Sequence, residues 1–170
     1  NIILIIMAGF HSKTFIKHDD YMTPNSAWDA IKEYIPQDKV IWEAFYGDGK
    51  SGDYLKELGF NVIHEPIDFF EEDRGDIIVS NPPFSMVKQI MPRMLELDKP
   101  FILLMPCSKL CAGYFRPWKD KNIQLLIPEK RIQFTKHING VPPPNWRSSP
   151  NFDCFYYCYK MNLDNDITML

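Results

Sequence analysis

The chain has 170 residues and a mass of 20.0 kDa, close to the common size of a single domain, and such a length buries roughly 68 to 70% of its unfolded surface around one core. Hydrophobic residues at 45% and aromatics at 14% exclude intrinsic disorder, and the apolar runs are too interrupted for membrane spanning, so a soluble protein with no membrane partner is expected. The net charge of −3 is unevenly spread: residues 1–106 carry 10 Lys/Arg against 17 Asp/Glu and residues 107–160 carry 9 against 3, a basic last third that suits a phosphate backbone.

In chain order, the apolar opening Ile2 to Met7 is far shorter than a spanning helix and lacks a basic flank; it reads either as residues 1 to 6 belonging to something upstream of an initiator Met7 or as a short edge strand. Residues 1–19 form an N-terminal extension, 20–160 the domain and 161–170 a tail. Ser26 to Ile35, behind Pro24 and Asn25, places Ala27, Ile31 and Tyr34 on one helical face. Val40 to Phe45, Asn61 to Glu65, Asp76 to Ser80, Phe101 to Met105 and Ile123 to Ile127 are continuous enough to be strands buried on both faces. Ser51 to Leu58 reads as a helix closed by a left-handed Gly59, and Ser85 to Leu97 as a Ser-capped helix interrupted by Pro92. Asn151 to Tyr159, entered from the Pro-rich stretch Val141 to Pro150, adds an antiparallel strand. The alternation predicts an α/β fold with a doubly wound, mostly parallel sheet and an antiparallel C-terminal strand, its ligands beyond the carboxyl ends of the strands.

At one such end stands Glu43-Ala-Phe45-Tyr-Gly47-Asp-Gly49-Lys50-Ser51-Gly52, which admits three readings. Gly47, Gly49 and Gly52 fit GxGxxG, a weak signal alone, and Glu65 about 20 residues on keeps a dinucleotide oxidoreductase open. Ala44 through Ser51 nearly spells a P-loop, but the strand Asp76 to Ser80 ends in Asn81-Pro82 instead of the acid that holds magnesium.

Asn81-Pro82-Pro83-Phe84 decides among them. Successive prolines lack backbone donors and fix φ near −65°, which leaves rigid carbonyls at a strand exit. An Asn oxygen and a neighbouring carbonyl can accept both hydrogens of an exocyclic amine while an aromatic ring stacks on the plane that bears it. A proline-rich strand exit with a core Phe is the bland alternative.

With these residues the chain resembles S-adenosylmethionine-dependent amino-methyltransferases, most closely the N6-adenine methyltransferases with an NPPY or NPPF signature, over roughly Asp20 to Lys160. The resemblance implies a Rossmann-like class I methyltransferase fold, S-adenosyl-L-methionine as cofactor and Asn81, Pro82, Pro83 and Phe84 as catalytic residues, with Asn81 also touching the cofactor. Tyr21, Thr23 and Pro24 match the motif that holds the methionine part, and Glu43, Phe45, Gly47 and Gly49 the cofactor-binding turn. Glu65 matches the acid that binds the ribose, and Asp68 the position at the cofactor's adenine. Arg131 to Phe134 and Asn151 to Phe155 resemble the last two strand motifs; the order is the gamma arrangement, in the compact form of phage and viral enzymes. Such an enzyme methylates the exocyclic amine of adenine in nucleic acid, DNA slightly before RNA, inside the cell in cytoplasm, nucleoid or nucleus.

Departures bear on specificity. Few residues follow Lys160, so base-sequence recognition falls to loops or to a protein partner, and the segment before Asp76 leaves room for a turn in place of one helix. The loops best placed to hold a strand are Ser108 to Lys121 and Thr135 to Pro150, with Lys109, Tyr114, Arg116, Trp118, Lys119, Trp146 and Arg147 as candidate contacts for stacking and phosphate. Tyr114, Phe115, Trp118 and Trp146 could equally be packing under a loop. Four cysteines make no disulfide scaffold; the pairs Cys107/Cys111 and Cys154/Cys158 suggest zinc, but two residues four apart on a strand stand about 13 Å apart, too far for one ion, and no metal is expected. His64 reads as strand-end packing, and His11, His18 and His137 lack an evident partner. Since a carboxamide is also a planar NH2, a protein glutamine methyltransferase is the enzymatic alternative, and a catalytically silent nucleic-acid-binding subunit the non-enzymatic one.

Overall fold

The structure, a computed structural model, describes residues 21–137 and 152–170. The opening run Ile2 to Met7, the extension 1–19, His11, His18, the Pro-rich stretch, Trp146 and Arg147 lie outside the described residues.

The strands are β1 (Tyr21–Met22), β2 (Val40–Trp42), β3 (Asn61–Ile63), β4 (Ile77–Ser80), β5 (Phe101–Pro106), β6 (Gln124–Ile127), β7 (Thr135–Lys136), β8 (Cys154–Tyr159) and β9 (Ile167–Met169). The α-helices are α1 (Asn25–Asp29), α2 (Lys50–Glu57) and α3 (Val87–Leu97). Among the described residues, seven strands form one sheet in the order β3-β2-β4-β5-β8-β6-β9, and β1 pairs with β7 in a separate ribbon. β3, β2, β4 and β5 run parallel; β8 is antiparallel to both its neighbours, and β6 is parallel to β9. The architecture is a mixed α/β sheet compatible with a Rossmann-like fold, with β8 as the expected antiparallel strand.

Burial on both faces holds along β4 and β5, whereas β3, at the sheet edge, and β6 are only partly buried. Ile77, Val79, Ile102, Leu104, Tyr156 and Cys158 point to a core shared with Trp28, Ile31 and Leu55 beneath α1 and α2. Their alternating neighbours Ile78, Phe101, Leu103, Met105, Tyr157 and Tyr159 meet Val87, Ile90, Met91 and Met94 of α3. Because α2 covers one face and α3 the other, the chain steps outward from β2 to β3, returns, and steps the other way from β4 to β5. The reversal falls between β2 and β4, so the turns that follow these strands flank the crevice where open α/β sheets take ligands.

Several boundaries differ from the sequence reading, each for a local reason. β2 ends at Trp42, before the run to Phe45 is complete, with Glu43 N–H still donating to Ile63 O at 3.1 Å and the glycine turn opening after it. The helix expected over 26–35 divides into α1 and a 3₁₀ turn, Lys32–Tyr34: Ile31 adopts φ −121°, outside the helical range, on the short approach to Pro36. Ser85 does not cap α3, since a 3₁₀ turn over Phe84–Met86 moves the cap to Met86. Pro92 sits inside α3 on its exposed side, where water can satisfy the carbonyl it leaves unbonded. Gly59, φ 93°, closes α2 as expected, with Gly59 N–H donating to Lys56 O at 2.9 Å and Phe60 N–H to Leu55 O at 3.2 Å. The connection from Glu65 to Asp76 contains no helix and buries Phe69 instead. Pairing near the penultimate motif falls at Thr135–Lys136, beyond Arg131 to Phe134. The residues read as a tail carry β9, which lies against β6 through Leu125–Ile167, Leu126–Thr168 and Ile127–Met169.

Candidate functional site

The glycine turn leaves β2 with two left-handed residues, Gly47 at φ 58° and Gly49 at φ 87°, a conformation that L side chains resist. Gly52, inside α2, serves differently: a Cβ there would collide with the imidazole of His64, so its absence lets helix and strand end approach. Asp48 Oδ1 accepts the Lys50 N–H at 3.2 Å and starts the helix.

Across the crevice, β4 runs into Ser80 and Asn81. Asn81 Nδ2 donates to the Tyr21 carbonyl at 3.3 Å, which orients the amide, and leaves Oδ1 buried without a hydrogen-bonding partner. A buried acceptor left so costs about 1 to 3 kcal/mol, a cost that a donor on a ligand removes. Pro82 is buried, Pro83 half-buried, and the Pro83 carbonyl accepts the Met86 N–H at 3.0 Å. The Phe84 ring lies 6.5 Å from that of Tyr21 at 24°, and meets Phe134 at 6.0 Å and Phe152 at 5.4 Å, both edge-on. The Lys109 ammonium donates to the Phe84 carbonyl at 3.0 Å and ties the loop to the segment after β5.

The β1–β7 ribbon stands between the two turns. Tyr21 and Phe134 join the aromatic group on one side, while Met22 reaches the other, where a Cβ on Gly47 would lie 3.5 Å from its Sδ. His137, at the end of β7 and 4% exposed, places Nε2 3.9 Å from Asp48 Oδ2. Asp48 Oδ2 and His137 Nδ1 are buried without hydrogen-bonding partners, and the Lys50 ammonium stands 3.5 Å from the same Oδ2.

Beneath the turns lies a buried polar group. Glu43, 1% exposed, accepts the Ser80 hydroxyl at Oε1, and its Oε2 lies 2.7 Å from His64 Nδ1, a separation that requires a proton on one of the two atoms. His64 packs against Tyr46 with ring centroids 4.5 Å apart, and its Nε2 is buried without a partner.

The structure thus gathers Tyr21, Glu43, Gly47, Gly49, Asn81, Pro82, Pro83 and Phe84 around one crevice, with Thr23 and Pro24 half-buried beside Tyr21. Glu65 is exposed at the end of β3, and Asp68 Oδ1 accepts the Phe70 N–H at 2.8 Å, which engages it in a turn. Phe45 is buried against Phe69 at 5.0 Å. The loop at Ser108–Lys121 is two 3₁₀ turns, Cys107–Cys111 and Gly113–Trp118. Trp118 is 2% exposed and packs on Phe101 at 5.4 Å and Tyr159 at 5.2 Å, so it is core and not a stacking platform; Phe115 is buried beside it. Lys109 serves the Phe84 carbonyl, where sequence suggests a phosphate contact, whereas Tyr114 is half-buried and Arg116 and Lys119 are exposed. Burial raises the Tyr114 phenol above its ordinary value. Cys154 and Cys158 are both buried on β8, and burial holds their thiols protonated. Sequence reasoning gives His64 no more than a packing role and finds no use for His137 or Asp48; Gly52 spaced one strand from a His offers a signal for the first, and nothing local marks the other two.

No protein-family model, curated protein or solved structure matches this chain. No helix among the described residues is long and apolar enough to cross a membrane. Left-handed Gly47 and Gly49 admit close backbone approach, Glu65 is exposed after β3, and Asn81 Oδ1 is buried without a hydrogen-bonding partner, which are features of a ligand crevice.

Proposed function

We propose that the crevice belongs to an amine methyltransferase that uses S-adenosyl-L-methionine. Its acceptor is then the exocyclic amine of adenine in nucleic acid, DNA somewhat before RNA. The observation that carries this reading is the buried, unpartnered Oδ1 of Asn81 at the end of β4, beside the Phe84 ring and across the switch point from the glycine turn.

Gly47 and Gly49 with Glu43 and Phe45 would form the cofactor turn, Glu65 would bind ribose hydroxyls, Asp68 would lie by the adenine, and Tyr21, Thr23 and Pro24 would close over the amino-acid part. The cofactor supplies an electrophilic methyl group on a sulfonium. Asn81 Oδ1 and the Pro82 carbonyl accept the amine hydrogens and draw density onto nitrogen, Pro83 keeps the loop rigid, and Phe84 stacks on the base. Positioning supplies most of the acceleration, since an aromatic amine is a weak nucleophile and in-line geometry sets the rate. A paired adenine must leave its stack to reach the loop, which costs a few kcal/mol and favours unpaired sites.

The test is transfer of labelled methyl to DNA, RNA and protein in parallel, followed by nucleoside and amino-acid analysis. N6-methyladenine carries the proposal; label on protein glutamine transfers it to the other planar amide. A pure protein that binds neither S-adenosylmethionine nor S-adenosylhomocysteine would leave a silent nucleic-acid-binding subunit.

A further inference from the structure

Three neighbouring parallel strands end in three polar side chains that touch: Glu43 after β2, His64 after β3 and Ser80 at the end of β4. All are buried, at 1%, 8% and 0% exposure. Burying a carboxylate is costly unless donors surround it, and here each oxygen faces one donor group. The immediate surroundings of the imidazole are Glu43, the Tyr46 ring and the α-carbon of Gly52, with the exposed Glu65 next in sequence. Nδ1 is the ring nitrogen that stands 2.7 Å from Glu43 Oε2, whereas Nε2 is buried without a partner, so a proton on Nδ1, toward Glu43, leaves the buried ring better satisfied than one on Nε2.

We propose that His64 is a positioning residue of the candidate site, holding the Glu43 carboxylate so that it grips Ser80 and thereby fixes both the glycine turn and Asn81. This rests on the methyltransferase reading for its ligand. Glu43 opens the turn that carries Gly47 and Gly49, and Ser80 immediately precedes Asn81, so the network joins the cofactor side of the crevice to the acceptor side. Gly52 belongs to the same device, because the imidazole occupies the place of its missing side chain.

The experiment uses the full chain with S-adenosylhomocysteine as probe. His64→Asn retains an N–H near the position of Nδ1, whereas His64→Leu keeps bulk and removes the donor. Leu is expected to weaken the probe about tenfold or more and to lower kcat by at least as much, with Asn recovering both to within about threefold of wild type. A merely structural His64 would not distinguish two folded variants in this way. Independently of any ligand, proton NMR should show an exchange-protected imidazole N–H that is lost in Glu43→Gln. A folded Leu variant with wild-type binding and kcat, or an Asn variant no better than Leu, overturns the proposal; if Leu does not fold, Ser80→Ala must lower kcat or the proposal falls. Wild-type protein that shows the protected proton but binds no probe would overturn the methyltransferase reading while leaving the network intact.

Discussion

Asn81 turns its amide nitrogen to the carbonyl of Tyr21, 3.3 Å away, and so presents its oxygen to the crevice. That one bond sets which end of the carboxamide is available, because the reversed amide would bring two oxygens together. Asn81→Ala is expected to lower turnover by orders of magnitude, far more than it weakens S-adenosylhomocysteine, since the acceptor it removes faces the amine. Calorimetry alongside methyl transfer measures both; equal turnover in the variant removes the basis of the proposed function. Glu65→Ala should do the reverse and weaken the same probe by about 1 to 3 kcal/mol, because its hydrogen bonds to ribose disappear.

Lys109 separates from its basic neighbours. With its ammonium on the Phe84 carbonyl, Lys109→Gln should reduce turnover and leave the salt dependence of oligonucleotide binding unchanged. Neutralising the exposed Arg116 and Lys119 together should flatten that dependence by about 0.7 to 0.9 for each phosphate no longer neutralised. Binding titrations at several salt concentrations distinguish the two; a flattened slope for Lys109→Gln would return it to the residues that hold phosphate.

Gly52→Ala drives a methyl group into the His64 ring, a collision that neither the helix nor the strand end can relieve without moving. It should cost about 1 to 3 kcal/mol of stability and lower the midpoint of thermal unfolding by several degrees. Gly59→Ala, which has open space around it but a φ of 93°, is the comparison in which strain acts without collision.

The legibility of the chain divides along physical lines. The apolar strands β4 and β5, with Ile77 to Val79 and Phe101 to Met105, are legible because burial on both faces demands unbroken apolar sequence. The Asn81 loop is legible because two prolines at a strand exit allow few conformations. What escapes depends on distant partners: Trp118 looks the same in sequence whether it stacks on a base or fills the space beside Phe101 and Tyr159. His137 acquires significance only through Asp48, which the ribbon of β1 and β7 brings within reach. β9 is too short, and too close to Asp164 and Asp166, to announce itself as a strand.

Cysteine reactivity should follow burial. Cys158 has its thiol pushed up to about 12 and Cys154 is raised further still, both mainly by burial, so neither forms thiolate near neutrality. A thiol reagent at neutral pH should modify the exposed Cys111 first and the half-buried Cys107 more slowly, with Cys154 and Cys158 reacting only after denaturation. Mass mapping of the labelled sites checks the order, and prompt labelling of Cys154 would contradict it.

Asp98 ends α3 and accepts from Lys160 Nζ at 2.7 Å and from the Tyr159 hydroxyl at 2.7 Å. The Lys160 bond, then the Tyr159 bond, holds its carboxyl below the ordinary 3.8. A lowered value means that the folded state binds the proton less readily than the unfolded chain. The contribution is therefore complete above the ordinary aspartate range and disappears as pH falls through the lowered value. Asp98→Asn should show a smaller loss of stability on acidification than wild type; identical acid-unfolding profiles would count against this.

The reversed strand β8 has a consequence for synthesis. β5 is buried along its whole length, yet one of its edges is covered by Cys154–Tyr159, made about 50 residues after Pro106, and β6 pairs with the rest of the sheet through that same strand. Until then the nascent chain carries the apolar edge of β5 unpaired, in the form most prone to join another chain. β8 therefore joins the two parts of the sheet late, and a ribosome that stalls before Cys154 leaves an aggregation-prone intermediate in place of a smaller folded domain.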